Sequence, residues 1–228
     1  MNFENIPLFR GMTQEEIQCM LTRLHGVKRQ YRKGETILRE GEATQLVGIV
    51  EAGMVVIETA DVWGSNSILC GAGPGSIFAE VYACLPGEPL MISARAAEDC
   101  ELTLVNIGSL FADGATHDEL DTLLIRNLLT VCAEKNLGLS RRILHTSSKS
   151  IRGRLLSFFS QCVKQEGSMS FTIGFNRQQL ADYLSVDRSA MSAELSKMQK
   201  DGLITYERNH FTVLTSEEVA YAHTGKRS

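Results

Sequence analysis

Arg188, Ser189, Ser192 and Ala193 fall at the i, i+1, i+4 and i+5 positions of a short amphipathic segment, which puts them on one side of a helix. A guanidinium, two hydroxyls and a methyl so arranged can meet base-pair edges or phosphates. The opposite side carries Met191, Leu195 and Met198 at i, i+4 and i+7. Asp187 is a good N-cap, and Asp201-Gly202 ends the helix. Upstream, Gln178–Leu184 reads as a shorter helix burying Leu180, Ala181 and Leu184, with Ser185 and Val186 as the turn. Such a pair has the dimensions to lay its second helix in a DNA major groove. Leu203–Tyr206 and Phe211–Leu214 form a hairpin around Glu207–His210, which makes the unit a winged helix-turn-helix. Asp187, Arg188, Ser189, Ser192 and Ala193 are the candidate DNA-binding residues. Arg177, Gln178 and Arg208 flank the helix pair or sit in the wing and are expected phosphate contacts. A helical pair that only packs is the alternative, and the wing argues against it.

The elements that must position this helix follow from the rest of the chain. At 228 residues there is material for two cores. The formal net charge of −4 is unevenly spread. Residues 145–228 hold 11 Lys and Arg against 8 Asp and Glu, giving +3, so the remainder carries −7. The positive potential therefore lies where phosphate contacts would be needed. No stretch of about 18 apolar residues exists, and the N-terminus lacks a basic region followed by an apolar run. No membrane partner and a cytoplasmic location are expected. Cys19, Cys70, Cys84, Cys100, Cys132 and Cys162 are dispersed without a C-x-x-C and read as reduced core residues. No Ser/His/Asp order, metal-ligand cluster or paired-carboxylate arrangement stands out, so no enzyme is expected.

Thr13 and Glu16 have capping-box spacing at the head of a short first helix. From Val27 to Ile107 short β-prone segments alternate with glycines, the pattern of a barrel or roll. Strands are expected at Thr36–Leu38, Gln45–Glu51, Met54–Thr59, Asn66–Cys70, Met91–Ala96 and Cys100–Asn106. His117–Leu144 then has helical periodicity and would run about 40 Å. One apolar stripe is Leu120, Leu124, Leu128 and Val131; beside it lie Ile125, Leu129, Cys132, Leu139 and Ile143. A helix apolar on two adjoining stripes must be covered twice. The roll can cover one, and the same helix of a second copy can cover the other by a two-fold contact. A helix buried within one monomer is the alternative. Residues 145–150 are polar and read as a hinge. The expected fold class is α+β: a β-roll (a jelly roll, residues 1–116), of the cyclic-nucleotide-binding-like kind that the family resemblance below implies, a dimerisation helix (117–144), a hinge (145–150) and a winged helix-turn-helix (151–228).

This order of parts resembles the CRP/FNR family, the cyclic-AMP receptor protein and fumarate-nitrate regulator group of bacterial transcription factors. The resemblance covers nearly the whole chain. It is carried by Pro7–Phe9, Tyr31–Leu38, Gly75–Glu80, Asp187–Ser192, Leu195–Met198 and Gly202–Ile204. It implies a one-component regulator, of the activator type, that acts as a homodimer on double-stranded palindromic DNA with RNA polymerase as a further partner. Half-sites would lie about one helical turn apart.

Departures from the family pattern narrow the expectation. Glu80 matches the glutamate that would hold a ribose hydroxyl in cyclic-nucleotide-binding members. Where those members carry an Arg-Ser pair for the cyclic phosphate, this chain has Leu90 and Met91. A buried phosphate requires a guanidinium and further donors, so tight cyclic-nucleotide binding is not expected. The effector pocket is expected to be apolar, lined by Phe78, Glu80, Leu90, Met91, Leu124 and Leu128. It would be either open to an apolar or aromatic small molecule or filled in. No cofactor is expected. An iron-sulfur cluster needs several clustered cysteines, and only Cys19 is near the N-terminus. Haem needs an axial ligand, for which His117 is the nearest candidate. Thiol sensing through Cys84 stays open. Ser189 and Ala193 stand where many members carry a base-reading Glu and Arg, so the operator should differ from TGTGA and TTGAT types. A ligand-binding regulatory module with decayed DNA specificity is the rival reading.

Overall fold

A computed structural model describes residues 3–60, 66–85, 87–112 and 114–214, so the last part of the predicted DNA-binding domain, 215–228, lies outside the described residues. The chain divides into two compact units, Met1–Lys135 and Asn136–Ser228.

In the first unit, helix α1 (Gln14–Arg23) starts on the predicted capping box: Thr13 Oγ1 accepts from the Glu16 amide and Glu16 Oε2 accepts from the Thr13 amide. Eight strands follow: β1 (Val27–Tyr31), β2 (Thr36–Leu38), β3 (Leu46–Ala52), β4 (Val55–Ala60), β5 (Asn66–Ala72), β6 (Ile77–Phe78), β7 (Ser93–Ala96) and β8 (Cys100–Asn106), with the one-turn helix α2 (Glu80–Ala83) after β6. They form two antiparallel sheets, ordered β1-β8-β3-β6 and β2-β7-β4-β5. Strand β3 is buried on both faces, because alternate residues serve two cores. Val47 and Ile49 pack with α1 and with Leu124, Leu128 and Val131 of the long helix. Val50 joins Val55, Phe78, Ala94 and Leu102 in a second core drawn from both sheets.

The long helix α3 spans Glu119–Thr146, two residues later at each end than the periodicity suggests. Asp118 accounts for the start, since its carboxylate accepts from the Asp121 amide as a cap would. Arg23 of α1 pairs with Asp118 and Asp121 at 2.9 and 2.8 Å, and buried Asn127 donates to the Leu8 and Arg10 carbonyls. The stripe Leu124, Leu128 and Val131 is buried. On the second stripe Ile125 and Cys132 are half-buried, whereas Leu129, Leu139 and Ile143 are exposed.

The second unit contains α4 (Ile151–Glu166), β9 (Ser170–Thr172), α5 (Arg177–Leu184), α6 (Arg188–Lys200), β10 (Ile204–Glu207) and β11 (His210–Val213), with a sheet ordered β10-β11-β9. Its core joins Leu155, Phe159, Leu180, Met191, Leu195 and Ile204 to a ring cluster in which Phe159 and Phe211 lie 4.8 Å apart. The division at Lys135–Asn136 falls inside α3, upstream of the predicted hinge at 145–150. His145 is buried and belongs to α3, which runs on to Thr146.

Candidate nucleic-acid interface and effector cavity

Helix α6 is built as a presented element. The Asp187 carboxylate accepts from the Ala190 amide and from the Ser189 hydroxyl, and those bonds hold it below the usual carboxylate range. Met191, Leu195 and Met198 are buried, which turns Arg188, Ser189 and Ala193 outward, with Ser192 partly covered. Arg188 makes no ion pair among the described residues. The Ser192 hydroxyl donates to the Arg188 carbonyl at 2.9 Å and keeps its acceptor capacity. Glu194 is held by Arg152 of α4, which also pairs with Asp201 at 2.7 Å. That carboxylate therefore secures α6 to α4.

Around it, the expected phosphate contacts differ in kind. Gln178 is exposed and bonds Asp182 at 2.8 Å. Arg177 is half-buried, its guanidinium 5.0 Å from the ring centroids of both Tyr206 and Phe211, and burial lowers its pKa. It therefore packs on the wing as well as lining its groove. Arg208 is exposed in the hairpin turn with φ +52°. Arg177 and Arg208 share a groove of about 470 Å³ with Asn176, the N-cap of α5.

Two arginines that sequence reasoning did not single out fix the other end of α5. Arg142 donates to the carbonyls of Tyr183 and Asp182 at 3.1 and 3.0 Å, and Arg154 to those of Leu184 and Ser185 at 2.9 and 2.8 Å. They satisfy the carbonyls left open at a helix C-terminus and complement its dipole. Beside them His145 Nδ1 meets the Tyr183 hydroxyl at 2.9 Å, and its ring packs edge-on against Phe158. Burial, followed by repulsion from Arg141, holds the imidazole below its ordinary pKa. The unfolded chain therefore binds the proton more readily, and stability must rise with pH in the window up to the ordinary histidine value of about 6.5. We expect the melting temperature of this unit to fall as pH is lowered from 7 towards 5, and His145→Gln to flatten that part of the profile in calorimetry.

In the first unit a cavity of about 270 Å³ lies against β4, β5, β6 and α2. It is lined by Ile57, Cys70, Ala72, Phe78, Glu80, Tyr82, Ile92 and Lys135, among others. The expected lining is corrected here. Phe78 and Glu80 are present. Leu90 is buried elsewhere, with its backbone bonded to Gly41 and Glu42; Met91 is exposed; Leu124 and Leu128 belong to the core on the other face of β3. Lys135, which was missed, continues the stripe 124, 128, 131 at the next helical position. Its Nζ donates to Glu80 Oε1 at 2.8 Å and to the Ile77 carbonyl at 2.9 Å.

Among the described residues no histidine lines this cavity, and His117 bonds the Leu110 carbonyl at 2.8 Å. Burial pushes the Cys84 thiol up to about 11, with Cys132 and Glu80 adding to it, so little thiolate exists near neutral pH. Among the described residues no group of three or more His, Cys, Asp and Glu is placed to hold a metal ion, and no helix is long and apolar enough to cross a membrane.

A β-roll unit, a long helix and a winged helix-turn-helix define the architecture of a DNA-binding regulator. The family model described as the cyclic nucleotide-binding domain matches residues 28–112, and that of the Crp-like helix-turn-helix domain matches residues 153–219. The chain belongs to the CRP/FNR family of transcription regulators. It is 27% identical over 205 residues to the cyclic AMP receptor protein of Thermus thermophilus, covering 87% of this chain and 88% of the relative. It is 23% identical over 214 residues to the CRP-like cAMP-activated global transcriptional regulator of Mycobacterium tuberculosis, covering 93% and 94%. Among solved structures, OCPA-complexed CprK superposes with a TM-score of 0.56 at 19% identity, covering 87% of this chain and 92% of that one. The c-di-GMP responsive global regulator CLP of Xanthomonas campestris gives 0.54 at 17%, covering 90% and 100%. These two structures bear on the fold alone.

Proposed function

We propose that the chain is a cytoplasmic, homodimeric transcription regulator that reads a palindromic operator through α6 and answers to a small molecule other than a cyclic nucleotide. The observation that carries the DNA-reading assignment is the outward, capped face of α6, with Arg188 free of any ion pair among the described residues. Arg208 supports it. A non-glycine residue in the left-handed region costs about 1 kcal/mol, and such strain is typically kept where a side chain serves a contact. Arg188 would meet a guanine or a phosphate, Ser189 and Ser192 a base edge or phosphate, and Ala193 a thymine methyl. The relatives in Thermus and Mycobacterium carry cyclic AMP in their names. Leu90 and Met91, which offer no charge, argue against carrying that effector over to this chain. RNA polymerase is the partner such a regulator would recruit, and no catalytic role is assigned.

The test is operator binding against salt. Phosphate neutralisation makes log K fall steeply with log salt. Arg188→Ala is expected to weaken binding about tenfold, the loss typical of one good base or phosphate contact. A flat salt dependence in the parent protein would favour a ligand-binding module with decayed DNA specificity. Haem or thiol sensing draws no support from the cavity lining or from Cys84.

A further inference from the structure

The last turn of α3 is tied into the helix-turn-helix through side chains. His145 is 2% exposed. Its Nδ1 lies 2.9 Å from the Tyr183 hydroxyl, and its ring stands edge-on to Phe158 of α4 with centroids 5.5 Å apart. Tyr183 belongs to the last turn of α5, stacked on Phe175 and packed against Phe158. One turn back along α3, Arg142 donates to the Asp182 and Tyr183 carbonyls. Ser185 and Val186 then make the turn, and Asp187 caps α6. The residue that His145 holds is thus joined to the cap of the reading helix by Leu184 and the turn alone.

His145 Nε2 is buried and has no hydrogen-bond partner. A neutral imidazole tolerates this, because Nε2 can keep its bare lone pair while Nδ1 carries the hydrogen and donates to the Tyr183 oxygen. An imidazolium carries hydrogens on both nitrogens, so a charged N–H would be buried without an acceptor. The surrounding groups offer no relief. Arg141 and Arg142 stand on α3, Cys162 on α4 and Tyr183 on α5, while Arg154 of α4 binds the adjoining Leu184 and Ser185 carbonyls. Among the described residues the nearby acids are engaged elsewhere: Asp182 bonds Gln178, and Glu166 acts on Cys162. Gln161 of α4 faces the ring without a hydrogen bond to Nε2.

We propose that the last turn of α3 is a proton-operated latch on the helix-turn-helix. With His145 neutral it holds Tyr183 and the end of α5 in the arrangement that presents α6; protonation releases that hold, and operator affinity falls in acid. The effect on DNA rests on the reading of α6 as the operator-binding helix, whereas the latch itself does not. An opened latch has the ordinary histidine value of about 6.5, and burial holds the closed one below it. The open state therefore binds the proton more readily, so closure is fully favoured above that value and is lost progressively below it. At pH 5.5 the change in the latch equilibrium can reach about tenfold.

The experiment is hydrogen exchange of the full chain at pH 7.5 and 5.5, read as protection factors for the amides of α5 and α6. Beside it, anisotropy titrations use a labelled duplex selected from a random library at pH 7.5. In the parent protein, protection should fall about three- to tenfold at the lower pH, and duplex affinity should fall by a similar factor relative to His145→Gln. The amide of His145→Gln can bond the Tyr183 hydroxyl at either pH, so its protection should stay constant. Gln161→Glu supplies a carboxylate for the imidazolium and should also keep protection at pH 5.5, a rescue that a histidine with only a packing role would not give. His210 of the wing is common to all three proteins and cancels in the comparison. Protection independent of pH in the parent, or lost equally in His145→Gln or Gln161→Glu, overturns the latch. Loss of protection with unchanged duplex affinity overturns its control of DNA binding. A chain that selects no duplex yet shows the protection change upholds the latch and sinks the reading of α6 instead.

Discussion

The double substitution Leu129→Asp, Ile143→Asp should convert the protein to a monomer and weaken operator binding at least a hundredfold. Both side chains are largely uncovered in the single chain, at 68% and 69% exposure, and Leu139 on the same stripe is 63% exposed. Large apolar side chains repeated along one helix face are costly to leave in water, at about 25 cal/mol per Å². A second copy of the same face is the covering that demands no other partner, and the two-fold contact makes each substitution count twice. Unpaired carboxylates placed there would be desolvated on association. Loss of operator affinity follows because a monomer engages one half-site without the effective concentration that links the second. Light scattering after gel filtration gives the mass, and fluorescence anisotropy gives the affinity. Thr130→Asp, an exposed position beside the stripe, is the control and should leave both unchanged. A variant that stays dimeric would place the dimer contact elsewhere.

What could be read from the sequence depended on how local the cause was. The caps at Thr13 and Asp187 act within three residues, and the buried positions of α6 repeat with the helical period, so the starts of α1 and α6 and the buried side of α6 were legible in the sequence. Six of the eight strands of the roll were placed within about two residues because their β-prone runs are bounded by turns, whereas β1 and β6 were not among the expected strands. The cavity was not legible. Strand β3 is buried on both faces, so alternation could not say which residues face the helices and which face the roll interior. Leu124 and Leu128 were expected at the cavity as long-helix residues facing the roll, and they pack instead with Val47 and Ile49. Leu90 and Met91 follow the family position, yet one side chain is 2% and the other 69% exposed, a difference set by the loop's backbone bonds to Gly41 and Glu42. Lys135 had a signal that went unused, as the charged member of an otherwise buried stripe. Arg177 carried none, since its stacking on Tyr206 and Phe211 depends on how the wing folds back.

Gly48→Ala should destabilise the first unit by about 3 kcal/mol, the upper end of the usual range for overpacking a core. In the β3–β6 register Gly48 stands opposite Phe78. A Cβ added to Gly48 would lie 2.1 Å from Cζ of that ring and 2.3 Å from Cε1. Both partners are buried, and the ring packs among Val50, Val55, Ala94 and Leu102, so it cannot swing freely. The glycine is needed here for the close approach of an aromatic side chain across the strand pair, not for an unusual backbone angle. Phe78→Leu alone should cost about 1 kcal/mol through lost packing. Combined with Gly48→Ala it should leave a total loss of about 2 kcal/mol where independent effects would give about 4, a favourable coupling of about 2 kcal/mol in a double-mutant cycle. Urea unfolding followed by circular dichroism measures each corner. A coupling near zero would mean that the strand, rather than the ring, moves to admit the methyl group.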